Sequence, residues 1–284
     1  MPELAEAKQK SHATWESMAP GWRKYDDFIW SMSRHIGEAI VRGADPQPGQ
    51  TVLDIACGPG DTGFKAAMRV GDSGKLIATD FSQGMVDVAR DRAESLGINN
   101  GEFRTMDAEN MDLADSSVDA IVCRWGFMLM TDPQAALKEC HRVLKPGGRL
   151  SYSVWGAAER NAWVTLYGKV MKEQGYPPTG DPFGPGGMFS MADEKTIRSM
   201  MDEAGFADVS VEEMEVHWRH DDFDDLWSFA TEVAGAVAAL VKQLPPDKVA
   251  EFRDALGPAT EPFKTEAGGY DFPGMTMNVA GRKP

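Results

Sequence analysis

Two short stretches constrain the fold of this chain more than any other feature: VLDIACGPGDTG, residues 52–63, and LIATDFS, residues 76–82. The first contains an apolar run interrupted by Asp54, passes through small residues and leads into a predicted helix. The second is an apolar run that ends at Asp80, twenty residues after Gly60. A doubly wound α/β sheet binds a nucleoside with such elements, because a close turn lies beneath the ligand and a carboxylate accepts from the ribose hydroxyls.

The charge around the turn indicates which nucleoside is bound. Residues Gly58–Gly63 satisfy the pattern GxGxxG, which alone is a weak sign of a dinucleotide site. A pyrophosphate needs the bare positive end of a helix, whereas Asp54 and Asp61 would place two anions beside it. S-adenosylmethionine (SAM) has no phosphate and carries a sulfonium and an ammonium. The acidic turn therefore favours SAM over NAD.

Three further motifs follow in order: ATDFSQGMVDVAR (residues 78–90), MDAENMDLADSSVDAIVCRWGFMLM (106–130) and ECHRVLKPGGRLSYSVW (139–155). With the first turn, they make the chain resemble the class I SAM-dependent methyltransferases. Within that class it is most similar to the small-molecule group typified by the ubiquinone/menaquinone-biosynthesis methyltransferases. The resemblance is strong over residues 52–155 and weak at both ends. Ala56 is a departure, since many members have glycine at that position.

The composition excludes several classes of partner. The chain of 284 residues has a formal net charge of −15 and a pI near 4.8, which opposes binding to nucleic acid. Cys57, Cys123 and Cys140 lie in apolar patterns, which predicts buried thiols in a reducing compartment and neither a disulfide framework nor a metal site. The N-terminal residues contain no apolar signal core, and no apolar run is long enough to span a bilayer. We therefore expect a cytoplasmic protein without membrane insertion.

Hydrophobic periodicity predicts an α/β fold with a Rossmann-like, doubly wound, seven-stranded and mostly parallel sheet. The predicted organisation is an aromatic-rich N-terminal helical arm or lid (1–45), a SAM-binding core (46–221 and 269–284) and a helical cap insertion (222–268). Ser82 is a predicted helix N-cap, and Thr131-Asp132-Pro133 is a second helix start. The apolar segment 233–241 is a predicted helix that would line the cap or form a dimer surface.

Asp80 is the predicted ribose ligand, and Gly58, Gly60 and Ala56 allow close approach of the backbone. Asp54 would order the turn and attract the methionine ammonium. Phe81 and Met85 would pack against adenine. The resemblance implies that Asp107 and Ala108 bind the adenine edge, with Glu109 as a competitor for the carboxylate role. Arg124 would either contact the methionine carboxylate or form a surface ion pair.

The predicted activity is methyl transfer from SAM, with S-adenosylhomocysteine as product, to an apolar and aromatic, quinone-like or polyketide-like small molecule through oxygen or carbon. Aromatic residues of the arm and of the strand ends are candidate acceptor contacts: Trp15, Trp22, Tyr25, Trp125, Phe127 and Trp155. His217, His220 and His141 are candidate bases, although a structural role is favoured for each. The alternatives are a methyltransferase acting on a protein or tRNA, an NAD(P)-dependent oxidoreductase and a non-catalytic SAM-binding module.

Overall fold

The fold is built on one sheet of seven strands in the order β3-β2-β1-β4-β5-β7-β6. The structure is a computed structural model that describes the backbone of residues 2–284 and the side chains of residues 6–284. Strands β1 to β5 pair in parallel, and β7 runs antiparallel to both β5 and β6. The strands are β1 (Thr51–Ile55), β2 (Lys75–Asp80), β3 (Gly101–Thr105), β4 (Val118–Arg124), β5 (Leu144–Trp155), β6 (Ala207–His220) and β7 (Tyr270–Arg282). The predicted seven-stranded, mostly parallel sheet is confirmed.

Helices cover both faces of the sheet. Gly43 lies against Ser151 and Ala280 on one face, whereas Met201 lies against the adjacent Gly281, and successive strand residues point to opposite faces. The helices are α1 (Pro2–Lys24), α2 (Asp26–Ala44), α3 (Asp61–Val70), α4 (Gln83–Leu96), α5 (Pro133–Val143), α6 (Ala162–Glu173), α7 (Glu194–Glu203), α8 (Phe223–Val233), α9 (Gly235–Val241) and α10 (Pro246–Thr260).

Two predicted helix starts have the expected caps. The Ser82 hydroxyl accepts a hydrogen bond from the Met85 N–H at the start of α4. The Asp132 carboxylate accepts one from the Ala135 N–H, and Pro133 begins α5. These side chains satisfy N–H groups that have no partner within the helix, which fixes where each helix begins.

The predicted N-terminal arm consists of two helices with different surroundings. Ile29, Ile36 and Ile40 of α2 are almost fully buried, and this helix packs on β4, β5 and β7 as part of the main core. Helix α1 lies instead across α4 and α8. The arm is therefore continuous with the core along α2, and only α1 lies over the sheet edge.

The segment between β6 and β7 is helical, and it differs from the prediction in one respect. The prediction of one continuous helix over residues 233–241 is wrong, because α8 ends at Val233 and α9 begins at Gly235. Ala234 at the junction has an extended conformation (φ −79°, ψ 97°) that a helix cannot contain. Val237 and Ala238 of α9 are buried within the chain, which fits a lining of the cap.

Strands β6 and β7 extend beyond the rest of the sheet. Trp155, the last residue of β5, pairs with Thr276, and the pairing of β7 with β6 continues to Tyr270 and His220. This extension lies at the edge where β1, β2 and β4 end, so it forms a wall beside the turns that follow those strands. Within residues 2–284, no helix combines the length and the apolar character that a bilayer span requires.

Candidate functional site

The turn after β1 has an unusual backbone. Ala56, Gly58 and Gly60 all have positive φ, of 50°, 51° and 95°. A side chain at Gly60 would overlap the Phe64 ring, whereas the position of a Cβ at Gly58 is open. Glycine is thus required at 60 by packing, and at 58 it leaves free space against the backbone. Ala56 accepts the left-handed conformation that glycine adopts more easily, which costs strain.

Asp80 connects this turn to the end of β2. Its Oδ2 accepts a hydrogen bond from the Gly58 N–H (3.0 Å), and its Oδ1 accepts one from the Ser82 N–H (2.9 Å). Burial raises the pKa of Asp80, and these hydrogen bonds act against that increase. A carboxylate can accept about four hydrogen bonds, so Asp80 retains capacity for two hydroxyl donors.

Asp54 supplies a second buried carboxylate beneath the turn. Burial raises its pKa well above the ordinary value, while the positive charge of Arg124 acts to lower it. Its Oδ2 has no hydrogen-bond partner in the described part of the chain. A side chain at Gly63 would overlap this oxygen, so glycine is needed there. An unpartnered buried carboxylate oxygen suits a ligand with an ammonium group.

Arg124 belongs to a buried ionic network and not to a surface ion pair. Its Nη1 donates to Ser33 Oγ (2.8 Å), and its Nη2 lies 3.6 Å from Asp61 Oδ2. Asp61 is also 2.9 Å from Arg92, which in turn is 2.6 Å from Asp26. Burial lowers the pKa of Arg124, and the carboxylates of Asp61 and Asp54 oppose that effect. The network fixes the start of α3 against α2 and α4.

This network corrects part of the electrostatic argument made from the sequence. From the sequence, Asp61 was predicted to be an uncompensated anion beside the turn, but Arg92 and Arg124 balance its charge. Of the two acidic residues, only Asp54 remains without such an ion pair. Arg92 lies 31 residues from Asp61 along the chain, so its role was not evident from the motif. The preference for a cationic ligand therefore rests on Asp54.

Asp107 and Glu109, the two candidate carboxylates for the adenine edge, have different surroundings in the loop after β3. Glu109 accepts from the backbone N–H groups of Thr131 and Asp132 and from the Thr131 hydroxyl, and these bonds fix the loop before α5. Asp107 accepts only from the Glu109 N–H within its own loop (3.0 Å) and contacts Lys8 of α1 at 2.5 Å. Asp107 is thus more accessible to a ligand than Glu109. Ala108, between them, is half-buried.

Helix α1 covers the same end of the site. Glu16 accepts from Ser82 Oγ (2.7 Å) and from the Gly84 N–H (3.1 Å), directly after Asp80 and Phe81. The His12 ring lies edge-on to Phe81, with 4.9 Å between centroids. Met85, the other residue predicted to pack against adenine, is buried in α4. The contacts of α1 therefore converge on the turn where adenine packing was predicted.

Aromatic side chains cluster beside Arg124. Trp125 has a positive φ of 58°, which is a strained conformation for a bulky residue. Its ring stacks on Trp155 at 4.3 Å, and its Nε1 donates to Thr276 Oγ1 (3.0 Å). Trp218 of β6 lies 6.0 Å from Trp125. We refer to Trp125, Trp155, Trp163, Trp218, Phe28 and Phe229 as the aromatic cluster.

The other predicted acceptor residues differ in position. Tyr25 contacts Phe229 of the aromatic cluster at 5.4 Å. Trp15 and Trp22 lie on α1, half-buried and 6.0 Å apart. Phe127 is fully buried against Tyr152, so it packs in the core beneath the site.

The three candidate histidines lie in different places. His141 lies edge-on to Phe206 where α5 leads into β5, at the sheet edge opposite to the turns. His217 on β6 pairs with Asp271 through Nδ1 (2.7 Å) and is partly exposed. His220, three residues later and thus on the other face, is enclosed by Phe28 and Phe229 and pairs with Asp225. Only His220 contacts the aromatic cluster. Asp225 was not among the predicted site residues, although it lies five residues after His220 in a predicted helix.

The fold defines a Rossmann-like protein, a class that binds nucleosides at the carboxyl edge of the sheet, where these residues lie. Comparison with known proteins identifies the nucleoside. A family model described as a methyltransferase domain matches residues 52–148. The ubiquinone/menaquinone biosynthesis C-methyltransferase UbiE of Cellvibrio japonicus is 32% identical over 183 residues, which are 61% of this chain and 74% of that protein.

Solved structures agree on the fold. The YcgJ protein from Bacillus subtilis superposes with a TM-score of 0.61 at 20% identity, over 88% of this chain and 98% of that one. A Haemonchus contortus phosphoethanolamine N-methyltransferase in complex with SAM has a TM-score of 0.54 at 18% identity, over 88% of this chain and 52% of that one. The chain belongs to the class I SAM-dependent methyltransferases, and within that class it resembles UbiE. Its methyl donor is SAM.

Proposed function

We propose that this enzyme transfers a methyl group from SAM to an apolar, aromatic or quinone-like small molecule, through an oxygen or a carbon atom. The observation that carries this proposal is the aromatic cluster beside Arg124, at the end of β4. Its rings pack on one another, with centroid distances of 4.3–6.4 Å between neighbours, and so form an apolar environment in which an aromatic acceptor would be favoured. Similarity to a quinone C-methyltransferase supports the same class of acceptor.

We assign the donor site to the turn and the strand ends. Asp80 would accept hydrogen bonds from the ribose hydroxyls, since it has spare acceptor capacity and lies next to the open space at Gly58. Asp54 would attract the methionine ammonium. Asp107 would bind the adenine amine, with Phe81 against the ring. When bound, SAM supplies an electrophilic methyl group on a cationic sulfur.

Arg124 takes a positioning role in this proposal. Ser33 and Asp61 already hold its guanidinium, so it fixes the geometry of the turn instead of offering a free cation to the methionine carboxylate. Trp125, in its strained conformation next to Arg124, marks the point where donor and acceptor meet. Alignment in an apolar, water-poor environment can supply much of the rate enhancement in methyl transfer.

Two measurements test the proposal. Calorimetric titration with S-adenosylhomocysteine should show micromolar binding, with none for NADH. Purified enzyme with SAM should then methylate 2-prenyl-1,4-naphthohydroquinone, and NMR of the product would distinguish an O-methyl from a C-methyl group. A Trp155→Leu variant should lose activity on this acceptor while it still binds S-adenosylhomocysteine.

Trp30→Leu is the matched control, because Trp30 lies on α2 with Lys65 over its ring and outside the aromatic cluster. It should retain activity. Binding of S-adenosylhomocysteine without methylation of any phenol, hydroquinone or catechol would contradict the proposed acceptor class. The net charge of −15 counts against a tRNA acceptor, and added tRNA should not be methylated.

A further inference from the structure

His220 is the last residue of β6, and its ring is enclosed by aromatic side chains. It is 4% exposed, with Phe28 at 5.1 Å, Phe229 at 5.3 Å and Phe272 at 6.4 Å between centroids. Its Nδ1 lies 3.0 Å from Asp225 Oδ2 on the first turn of α8. Asp225 is partly exposed, so the pair lies between the surface and the aromatic cluster.

The carboxylate of Asp225 determines which ring nitrogen carries the proton. A carboxylate accepts from Nδ1–H, which leaves Nε2 as the basic nitrogen. No hydrogen bond joins Nε2 to another group in the part of the chain whose side chains are described, residues 6–284. Burial lowers the pKa of His220, while Asp225 and Asp221 oppose that effect, so the ring is neutral near pH 7 and can accept a proton. These two carboxylates are the charged groups facing it, since α2 and β7 present Phe28 and Phe272.

A second observation points to the same place. Trp218 is 4% exposed, and its indole Nε1 has no partner in the described part of the chain. It lies two residues before His220 on the same face of β6. Phe28 and Phe229 each contact both rings. A buried donor without an acceptor is unfavourable, so a ligand oxygen at this point would be favoured.

We propose that Trp218 and His220 bind the hydroxyl group of a phenol-like or enol-like acceptor, and that His220, oriented by Asp225, is the base that removes its proton. This inference rests on the proposed function. The acceptor hydroxyl transfers its proton to Nε2, giving an imidazolium paired with Asp225. The electron pair left on the acceptor forms the bond to the methyl carbon. The electron pair of the broken carbon–sulfur bond stays on sulfur, which becomes neutral.

The first test does not depend on turnover. The chromogenic phenol 4-nitrocatechol is titrated into the full-length protein at a pH about one unit below the pKa of the free probe. Wild-type protein should bind it as the phenolate, seen in the visible spectrum. His220→Gln should bind the neutral form, with the phenolate signal reduced about 10-fold or more. Asp225→Asn, at a partly exposed position, should reduce the signal less.

His217→Gln is the matched control, because it removes another histidine with an aspartate partner from the opposite face of the same strand. It should leave the phenolate signal unchanged. A phenolate signal in His220→Gln equal to that of wild type would overturn the proposal, as would a wild-type protein that does not bind the probe. If His220→Gln fails to fold, the phenolate signal of Asp225→Asn tests the proposal, and a signal equal to that of wild type would overturn it.

Turnover distinguishes this inference from the proposed function. With 2-prenyl-1,4-naphthohydroquinone, His220→Gln should lower kcat by about 10²- to 10⁴-fold with little change in KM, and should remove the acidic limb of the pH profile. Trp218→Phe should mainly raise KM. Full activity in His220→Gln would overturn the inference and leave the proposed function intact. Failure of wild type to bind S-adenosylhomocysteine would overturn the proposed function. The titration with 4-nitrocatechol would still test whether His220 removes the proton of a bound phenol.

Discussion

The carboxylate of Asp80 accepts a hydrogen bond from the backbone N–H of Gly58 over 3.0 Å. This bond joins the turn after β1 to the end of β2, so one side chain both shapes the turn and faces the predicted ribose position. The two sequence stretches that indicated a nucleoside site are therefore in direct contact. Loss of the Asp80 carboxylate should weaken ligand binding in two ways: the ribose loses a hydrogen-bond acceptor, and the Gly58 N–H loses its partner in the turn.

Asp80→Ala should weaken binding of S-adenosylhomocysteine by about 1–3 kcal/mol, or about 5- to 150-fold, because polar groups of ligand and turn lose their partner. Calorimetry measures the change. Asp87→Ala is the control, since Asp87 is an exposed residue of α4 that pairs with Arg90, and it should bind as wild type does. Wild-type affinity in Asp80→Ala would contradict the ribose assignment.

Asp54→Asn should make the ligand-free protein more stable and the ligand weaker in binding. Burial raises the pKa of Asp54, so the favourable contribution of its protonated form is present below the unfolded pKa and is lost as the pH rises through the folded pKa. At about pH 7 the buried carboxyl group therefore makes the free energy of unfolding lower than it is in acid, and asparagine removes this pH-dependent cost. Arg124 keeps Asp61 as its counter-ion.

Thermal unfolding at several pH values measures this effect. The variant should exceed wild type at about pH 7, and the difference should vanish near pH 4, where the unfolded carboxyl also becomes protonated. Binding of S-adenosylhomocysteine should weaken about 10-fold or more. Asp91→Asn, which removes an exposed carboxylate paired with Arg23, should change neither quantity by much. A less stable Asp54→Asn at neutral pH would show that the carboxylate supports the fold.

Local patterns determined how much could be predicted from the sequence. The strands and most helix limits follow from apolar alternation and cap residues such as Ser82 and Asp132, because these signals lie within a few residues of the element they define. The charge balance of Asp61 could not be predicted, since Arg92 and Arg124 reach it from distant elements. The break at Ala234 was missed because small apolar residues are compatible with either a continuous or an interrupted helix.

Lys8→Ala should speed the release of S-adenosylhomocysteine. Lys8 contacts Asp107 and Glu109 at 2.5 and 2.8 Å and so holds α1 over the predicted adenine end of the site. A partly exposed ion pair contributes up to about 1 kcal/mol, which corresponds to a rise of up to about fivefold in dissociation rate. Stopped-flow displacement measures this rate, and added salt should raise it for wild type.

Lys10→Ala is the control for Lys8→Ala, because Lys10 lies exposed on the same helix and should not affect release. Slower release in Lys8→Ala would reverse the interpretation. It would mean that the lysine competes with the adenine amine for Asp107 and must leave before the nucleoside binds.

His220 should make the protein less stable as the solution becomes acidic. Burial lowers its pKa below the usual 6.5, so the unfolded chain takes up a proton before the folded chain does. The free energy of unfolding should therefore fall as the pH drops below about 6.5, and the fall should end once the pH passes the folded pKa. Urea denaturation at a series of pH values between about 7 and 5 measures it.

His220→Gln should flatten this part of the curve, because glutamine does not titrate. Asp225→Asn should make the fall in the free energy of unfolding steeper or extend it to lower pH. The reason is that the carboxylate of Asp225 raises the pKa of His220 against the effect of burial. A wild-type stability that rises on acidification and loses this rise in His220→Gln would mean that His220 is protonated more readily in the folded chain. The ring would then be an imidazolium near neutral pH and could not act as the base.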